Sequence, residues 1–210
     1  MQDASTAPIC TTIAATNPPT LCLSQIPILP GLALPLTVDS RQLNDTLHNL
    51  WTSTRQVILV PTATSNVGCL TTLIAFDGNS GQAHFRGIRR IHLETSCSKA
   101  SMNDLVEQRN ENSSPHRNRA NQRELLIEAF LNRFPEHSRN PLVTPLWERE
   151  LSFGALCDLF AFSCQLNHNE HETILNELDE DRRCELVLNM LKSERPAFQS
   201  AEFPPPFSLN

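Results

Sequence analysis

No two of the seven cysteines in this 210-residue chain are spaced as CxxC; Cys10, Cys22, Cys69, Cys97, Cys157, Cys164 and Cys184 are scattered singly. An odd, dispersed set does not read as a disulfide framework or a zinc site. It leaves cysteine as a small, buried apolar residue and a reducing cytoplasm as the expected setting. Basic runs are also missing. The chain has 17 Lys and Arg against 23 Asp and Glu, a formal charge of −6 and a pI near 5.6. That balance disfavours nucleic acid as the main partner, because phosphate binding relies on clustered cations. Long apolar runs are absent too. Ala4 to Val38 carries no charge, but Pro8, Pro18, Pro19, Pro27, Pro30 and Pro35 interrupt it. A membrane helix needs roughly 20 mostly apolar residues in one stretch, so no spanning segment is expected. Met1 to Thr20 has neither Lys nor Arg nor a continuous apolar centre, which argues against a secretory leader. Nor is there a GxxxxGK[ST] loop for nucleotide phosphates, and no HExxH.

What remains is 40% hydrophobic and 19% charged, the composition of a soluble globular protein with some irregular sequence. Residues 1–20 are small, polar and proline-containing, and are expected to be a disordered tail. Residues 21–107 read as mainly β. Leu21 to Leu23 and Ala33 to Val38 are expected strands, joined by a proline-rich path that must stay extended. Ser40 is placed to cap a helix running to about Trp51, with Leu43, Leu47 and Leu50 on one face. Val57 to Val60 is a continuous apolar run, expected to be covered on both sides. Cys69 to Phe76 has no polar face and is expected to be largely buried. Asp77-Gly78-Asn79-Ser80-Gly81 is a turn signal, with Gln82 to Phe85 as the returning arm and Ile91 to Glu94 as a further half-exposed strand. Several short strands with one helix suggest a small closed β-barrel.

Residues 108–120 belong to a polar stretch read as a linker, apart from a short strand expected at Met102 to Val106. Residues 121–195 are helical in period. One helix carries Leu126, Ile127, Phe130, Leu131 and Phe134 and ends near Pro135. A second has Leu156, Leu159 and Phe160 on one face, with Gly154 near its start. Ile174, Leu175 and Leu178 mark a third. In the last, Cys184, Val187, Leu188 and Leu191 fall at i, i+3, i+4 and i+7, with Asp179 as cap. Residues 196–210, with Pro204-Pro205-Pro206, read as a disordered tail.

Three stretches carry a family resemblance: Leu29-Pro30-Gly31-Leu32-Ala33-Leu34-Pro35-Leu36, Gly87-Ile88-Arg89-Arg90, and Leu156-Cys157-Asp158 followed by Arg183 and Leu186 to Leu191. In this order, across most of the chain, they resemble the N-terminal, substrate-binding domain of Lon-type ATP-dependent proteases. The resemblance implies an α+β fold, a PUA-like small β-barrel followed by a C-terminal helical bundle. It implies a stand-alone, non-catalytic module that binds unfolded or tagged polypeptides; physically, Pro30 and Pro35 are expected to hold an extended path, Gly87 to permit close backbone approach or a bulge, and Arg183 to tie helices together. The implied partners are client polypeptides and a separate Lon protease, with no cofactor. One departure stands out. Where some members have an acidic-x-Arg-Tyr sequence, this chain reads Asp39-Ser40-Arg41-Gln42-Leu43.

Other chemistry is less well supported. His168, His171 and Glu172 have a spacing that could place metal ligands on one helical face, but the segment fits a polar loop and helix start better. Gly78-Asn79-Ser80-Gly81 is one residue short of a nucleophile elbow and reads as a hairpin turn. No local motif supports a Cys–His hydrolase. Arg86, Arg89 and Arg90, beside Phe85 and His92, are the best case for RNA binding by a barrel of this kind. Pairing with the protein's own carboxylates is the commoner fate of such arginines. No polypeptide-contact residue can be assigned from the sequence.

Overall fold

Asp77 organises the central hairpin. Its carboxylate accepts from the Asn79 amide at 3.0 Å and the Ser80 hydroxyl at 2.6 Å. Gly81 takes a left-handed φ of 66°, and a Cβ there would lie 2.6 Å from the Val38 carbonyl. The computed structural model describes residues 18–23, 27–38, 41–93, 116–136, 151–164 and 166–193. The expected tails, the strand at Met102 to Val106 and most of the expected linker lie outside these residues.

The hairpin joins β4 (Val67–Asp77) to β5 (Gln82–His92). β3 (Gln56–Val60) pairs antiparallel with β4, and β2 (Ala33–Thr37) pairs antiparallel with β5. The short β1 (Thr20–Cys22) runs parallel to β3, giving one five-stranded sheet in the order β1-β3-β4-β5-β2. Pro35 lies in edge strand β2, where a missing N–H is tolerated.

Two sequence expectations change here. β5 is one strand of 11 residues rather than two. A bulge falls at Ile88, because the ladder pairs Thr71 with Gly87 and Leu70 with Arg89. That extra residue breaks the period-2 pattern that would have shown a single strand. β4 is buried from Val67 to Thr71, yet Ile74 and Ala75 are exposed. A second register shift, between Leu73 and Ala75, moves Phe76 to the side of Leu73 and Ala83. The unbroken apolar character of this end therefore misleads about its burial.

Two large cores share one face of the sheet. α1 (Arg41–Trp51) lays Leu47 and Leu50 against Leu36, Val57, Leu59, Leu73 and Phe85. Leu21 from β1 and Leu36 from β2 belong to this same core, although the two strands are the opposite edges of the sheet. The second core joins Leu29, Leu32, Val67 and Cys69 to the helices. These are α2 (His116–Arg133), α3 (Phe153–Phe162), α4 (His168–Asn176) and α5 (Glu180–Lys192). Phe130 of α2 stacks on Phe160 of α3, with ring centroids 4.0 Å apart.

Helix starts follow side-chain chemistry. Ser152 caps α3 by accepting from the Ala155 amide, with Gly154 in the first turn. Asn167 and Glu170 form a reciprocal capping box on α4, and Asp179 accepts from the Asp181 and Arg182 amides to cap α5. α2 begins at His116, inside the stretch read as linker. The N-terminal turns of α2 are polar, so no apolar period announces them. The architecture is α+β: a mixed sheet with α1 on its core face, followed by packed C-terminal helices. None of the described helices is long and apolar enough to cross a membrane.

Candidate functional site

The three resemblance-bearing stretches meet in space. Gly87 is the first contact. Its N–H donates to the Leu32 carbonyl at 2.8 Å, and its carbonyl accepts from the Gly31 amide at 2.9 Å. A Cβ on Gly87 would stand 2.3 Å from the Leu29 carbonyl oxygen, so only glycine lets the Leu29–Gly31 segment cross β5 here. Gly31 turns the segment with φ 83°.

Three residues further along β5, the Arg90 guanidinium is fully engaged. Nη1 and Nη2 donate to the two Asp158 carboxylate oxygens at 2.7 Å each. Nε donates to the Leu175 carbonyl at 3.0 Å and Nη2 to the Ile174 carbonyl at 3.1 Å. One side chain thus ties the sheet to α3 and α4. Arg183 of α5 approaches the same carboxylate, Nε to Oδ1 3.6 Å, and donates from Nη1 to the Glu177 carbonyl at 2.8 Å. Arg90, Asp158 and Arg183 are 3%, 1% and 0% exposed. Two guanidiniums therefore face one carboxylate out of water. The forked Arg90–Asp158 pair offsets its desolvation through the bonds that Arg90 makes to both Asp158 oxygens and to the Leu175 and Ile174 carbonyls. Beside it, burial pushes the Cys69 thiol up to about 12, against a smaller lowering by Arg90.

The basic cluster on β5 is therefore split. Arg90 points into the core opposite Cys69, while Arg86 and Arg89, half-buried, register against Thr72 and Leu70 on the other face. Without the bulge at Ile88, Arg86 and Arg90 would share a face. His171 is 4% exposed in α4, and burial drives its pKa down to about 4. Glu172 accepts from Ser65 at 3.2 Å, linking α4 to the β3–β4 loop. Among the described residues no group of three or more His, Cys, Asp or Glu could hold a metal ion. Gly78 to Gly81 forms the hairpin turn, with Gly78 also accepting from Asn44 of α1 at 3.0 Å.

A small hollow lies between β2, β3 and the segment after β1, lined by Leu23, Pro27, Ile28, Leu36, Leu59 and Pro61 among others. It carries no ionisable side chain. The Asp158 pairing went unrecognised in the sequence, although a signal was present. Asp158 is the one charged residue in Phe153–Phe162, a helix otherwise apolar all round, and such a charge requires a buried partner.

Comparison with known proteins decides the family. The profile of the ATP-dependent protease La (LON) substrate-binding domain matches residues 17–193. The chain belongs to this family. As a Lon substrate-binding domain, the matched region is a binding domain distinct from ATPase and peptidase, and it is not itself catalytic. Among solved structures, it is similar to the N-terminal domain of the Mycobacterium avium complex Lon protease, at 17% identity and a TM-score of 0.59. That alignment covers 85% of this chain and 99% of the other. A Lon N-terminal domain protein from Xanthomonas campestris aligns at 18% identity and a TM-score of 0.52, covering 82% of this chain and 96% of the other. At these identities the likeness is one of fold. None of the curated proteins matches the chain.

Proposed function

We propose that this domain recognises exposed apolar segments of unfolded or tagged polypeptides and holds them without turnover, within a reducing cytoplasm. The observation that carries this reading is the substrate-binding family match over residues 17–193. Free Cys22, Cys69, Cys157, Cys164 and Cys184 fit a reducing setting. A closed, PUA-like barrel is the natural completion of a sheet whose edge strands contribute Leu21 and Leu36 to one core. Acting as adaptor or competitor for a separate Lon protease is the extension of this role.

Binding of the purified chain to a fluorescent unfolded polypeptide and to a structured RNA, at low and moderate salt, tests the proposal. Salt-tolerant binding to the polypeptide alone is the expected result. Binding to RNA alone, lost as salt rises, overturns it and transfers the function to Arg86 and Arg89.

A further inference from the structure

The five strands contain a single acidic residue, Asp77, in a chain whose formal charge is −6. Its carboxylate is held in the hairpin turn by the Asn79 amide and the Ser80 hydroxyl. The sheet face turned away from the two large cores is therefore basic, with Arg86 and Arg89 on β5. Arg89 is already engaged. Arg86 is half-buried, and its Nε is buried without an acceptor among the described residues. Buried donors are normally paired, and a carboxylate is the acceptor that a guanidinium holds best. Register sets Arg86 in a row of Gln56, Thr72, Arg86 and Ala33, on β3, β4, β5 and β2. The next row on this face, toward the hairpin, is Ala75, His84 and Pro35. Leu73 and Phe76 both face the core, so Ile74 and Ala75 between them are turned out. Ile74, at 36%, is one of two large apolar side chains exposed among the described residues.

We propose that this outer face of the sheet binds extended peptide segments in which an acidic residue stands two positions from an apolar one. The carboxylate pairs with the Arg86 guanidinium, and the apolar side chain lies against Ile74, Ala75 and Pro35. The spacing fits. Arg86 and His84 mark rows two residues apart on β5, roughly 7 Å, which is also the separation of side chains i and i+2 in an extended peptide. Thr72 and Gln56 offer a hydroxyl and an amide to the peptide backbone beside Arg86. The inference rests on the polypeptide-binding function proposed above and narrows its ligand to apolar segments with an acidic flank. A phosphodiester chain is held by cations repeated along its path, whereas the row beside Arg86 is Ile74, Ala75 and Pro35 around His84.

The test is fluorescence anisotropy of the whole chain with a labelled Gly-Ser peptide carrying one Leu-Ser-Glu triplet. Its Leu-Ser-Gln counterpart, a labelled unfolded polypeptide and a structured RNA are measured alongside. The Glu peptide should bind about fivefold more tightly than the Gln peptide at low salt. Arg86→Gln should equalise the two, while Ile74→Ser should weaken both by a similar factor. Where Arg86→Gln fails to fold, exposed Ile74 carries the location, and unchanged peptide binding in Ile74→Ser overturns the proposal. Equal binding of the two peptides by a wild-type chain that still holds the unfolded polypeptide overturns this site and leaves the broader function standing. Failure to bind polypeptide and peptides alike overturns both. An undiminished preference for the Glu peptide in Arg86→Gln also overturns the proposal, as does RNA binding that is lost in that variant while no peptide binds.

Discussion

Removing the Asp158 carboxylate leaves the Arg90 and Arg183 guanidiniums in a site from which water is excluded. An uncompensated buried charge is among the costliest defects a core can carry. Asp158→Ala should therefore lower unfolding free energy by about 3–5 kcal/mol, read from urea denaturation. Arg90→Lys should recover little of what Arg90→Ala loses. A single ammonium cannot reproduce the two-pronged contact with Asp158 together with the bonds to the Leu175 and Ile174 carbonyls. If Arg90→Lys unfolds at the wild-type urea midpoint, the forked geometry is not what matters. His171 gives a pH-dependent signature at the same scale. Burial lowers its folded pKa from 6.5 to about 4, so the unfolded state binds more protons between those values. Its contribution is complete above pH 6.5, falls as pH drops toward 4 and is constant below. Stability should decline by about 2 kcal/mol from pH 7 to pH 5, and His171→Phe should flatten that slope in urea titrations at the two pH values.

At the scale of elements, the crossing of Leu29–Gly31 over β5 is the most demanding contact. A Gly87→Ala methyl would meet backbone of the crossing segment, at 2.3 Å from the Leu29 carbonyl and 3.1 Å from Pro30 Cα. Neither can swing aside like a flexible side chain, so a loss of about 3 kcal/mol is expected. A wild-type Tm for this variant would show that the crossing is looser than described. Helix starts are more forgiving. Asp179→Ala removes the acceptor for the Asp181 and Arg182 amides at the head of α5, and should cost about 1 kcal/mol in chemical denaturation.

Across the whole molecule, one core contains Leu29, Leu32, Val67 and Cys69 from the β-rich half together with all four C-terminal helices. The two halves are therefore expected to unfold in one step. Trp51 of α1 reports the β-rich half, while ellipticity at helix wavelengths reports mainly α2 to α5. In a Trp147→Phe background, where Trp51 is the sole indole, the two thermal transitions should coincide. Adding Arg90→Ala, which releases α3 and α4 from β5, should separate them. Persisting coincidence in that variant would place the coupling in the apolar contacts alone.

The sequence by itself determined most of the elements, though not the unity of β5 or the start of α2, because apolar period and turn chemistry are local. Val57 to Val60, the Asp77–Gly81 turn, the Asp179 cap and the stripe of Cys184, Val187 and Leu191 were all legible. Family membership was legible too, from spaced residues whose purpose was not. The tertiary structure decided what those residues are for: Gly87 is kept small by the Leu29 carbonyl, and Arg90 is claimed by Asp158 and two α4 carbonyls. It also decided which face each β5 arginine occupies, because the bulge at Ile88 shifts parity without a sequence signature. The hollow lined by Leu23, Leu36 and Leu59 joins β2, β3 and the segment after β1 only in the folded chain. Hydrophobic period says that a residue is buried; only the closed packing of distant segments says against what.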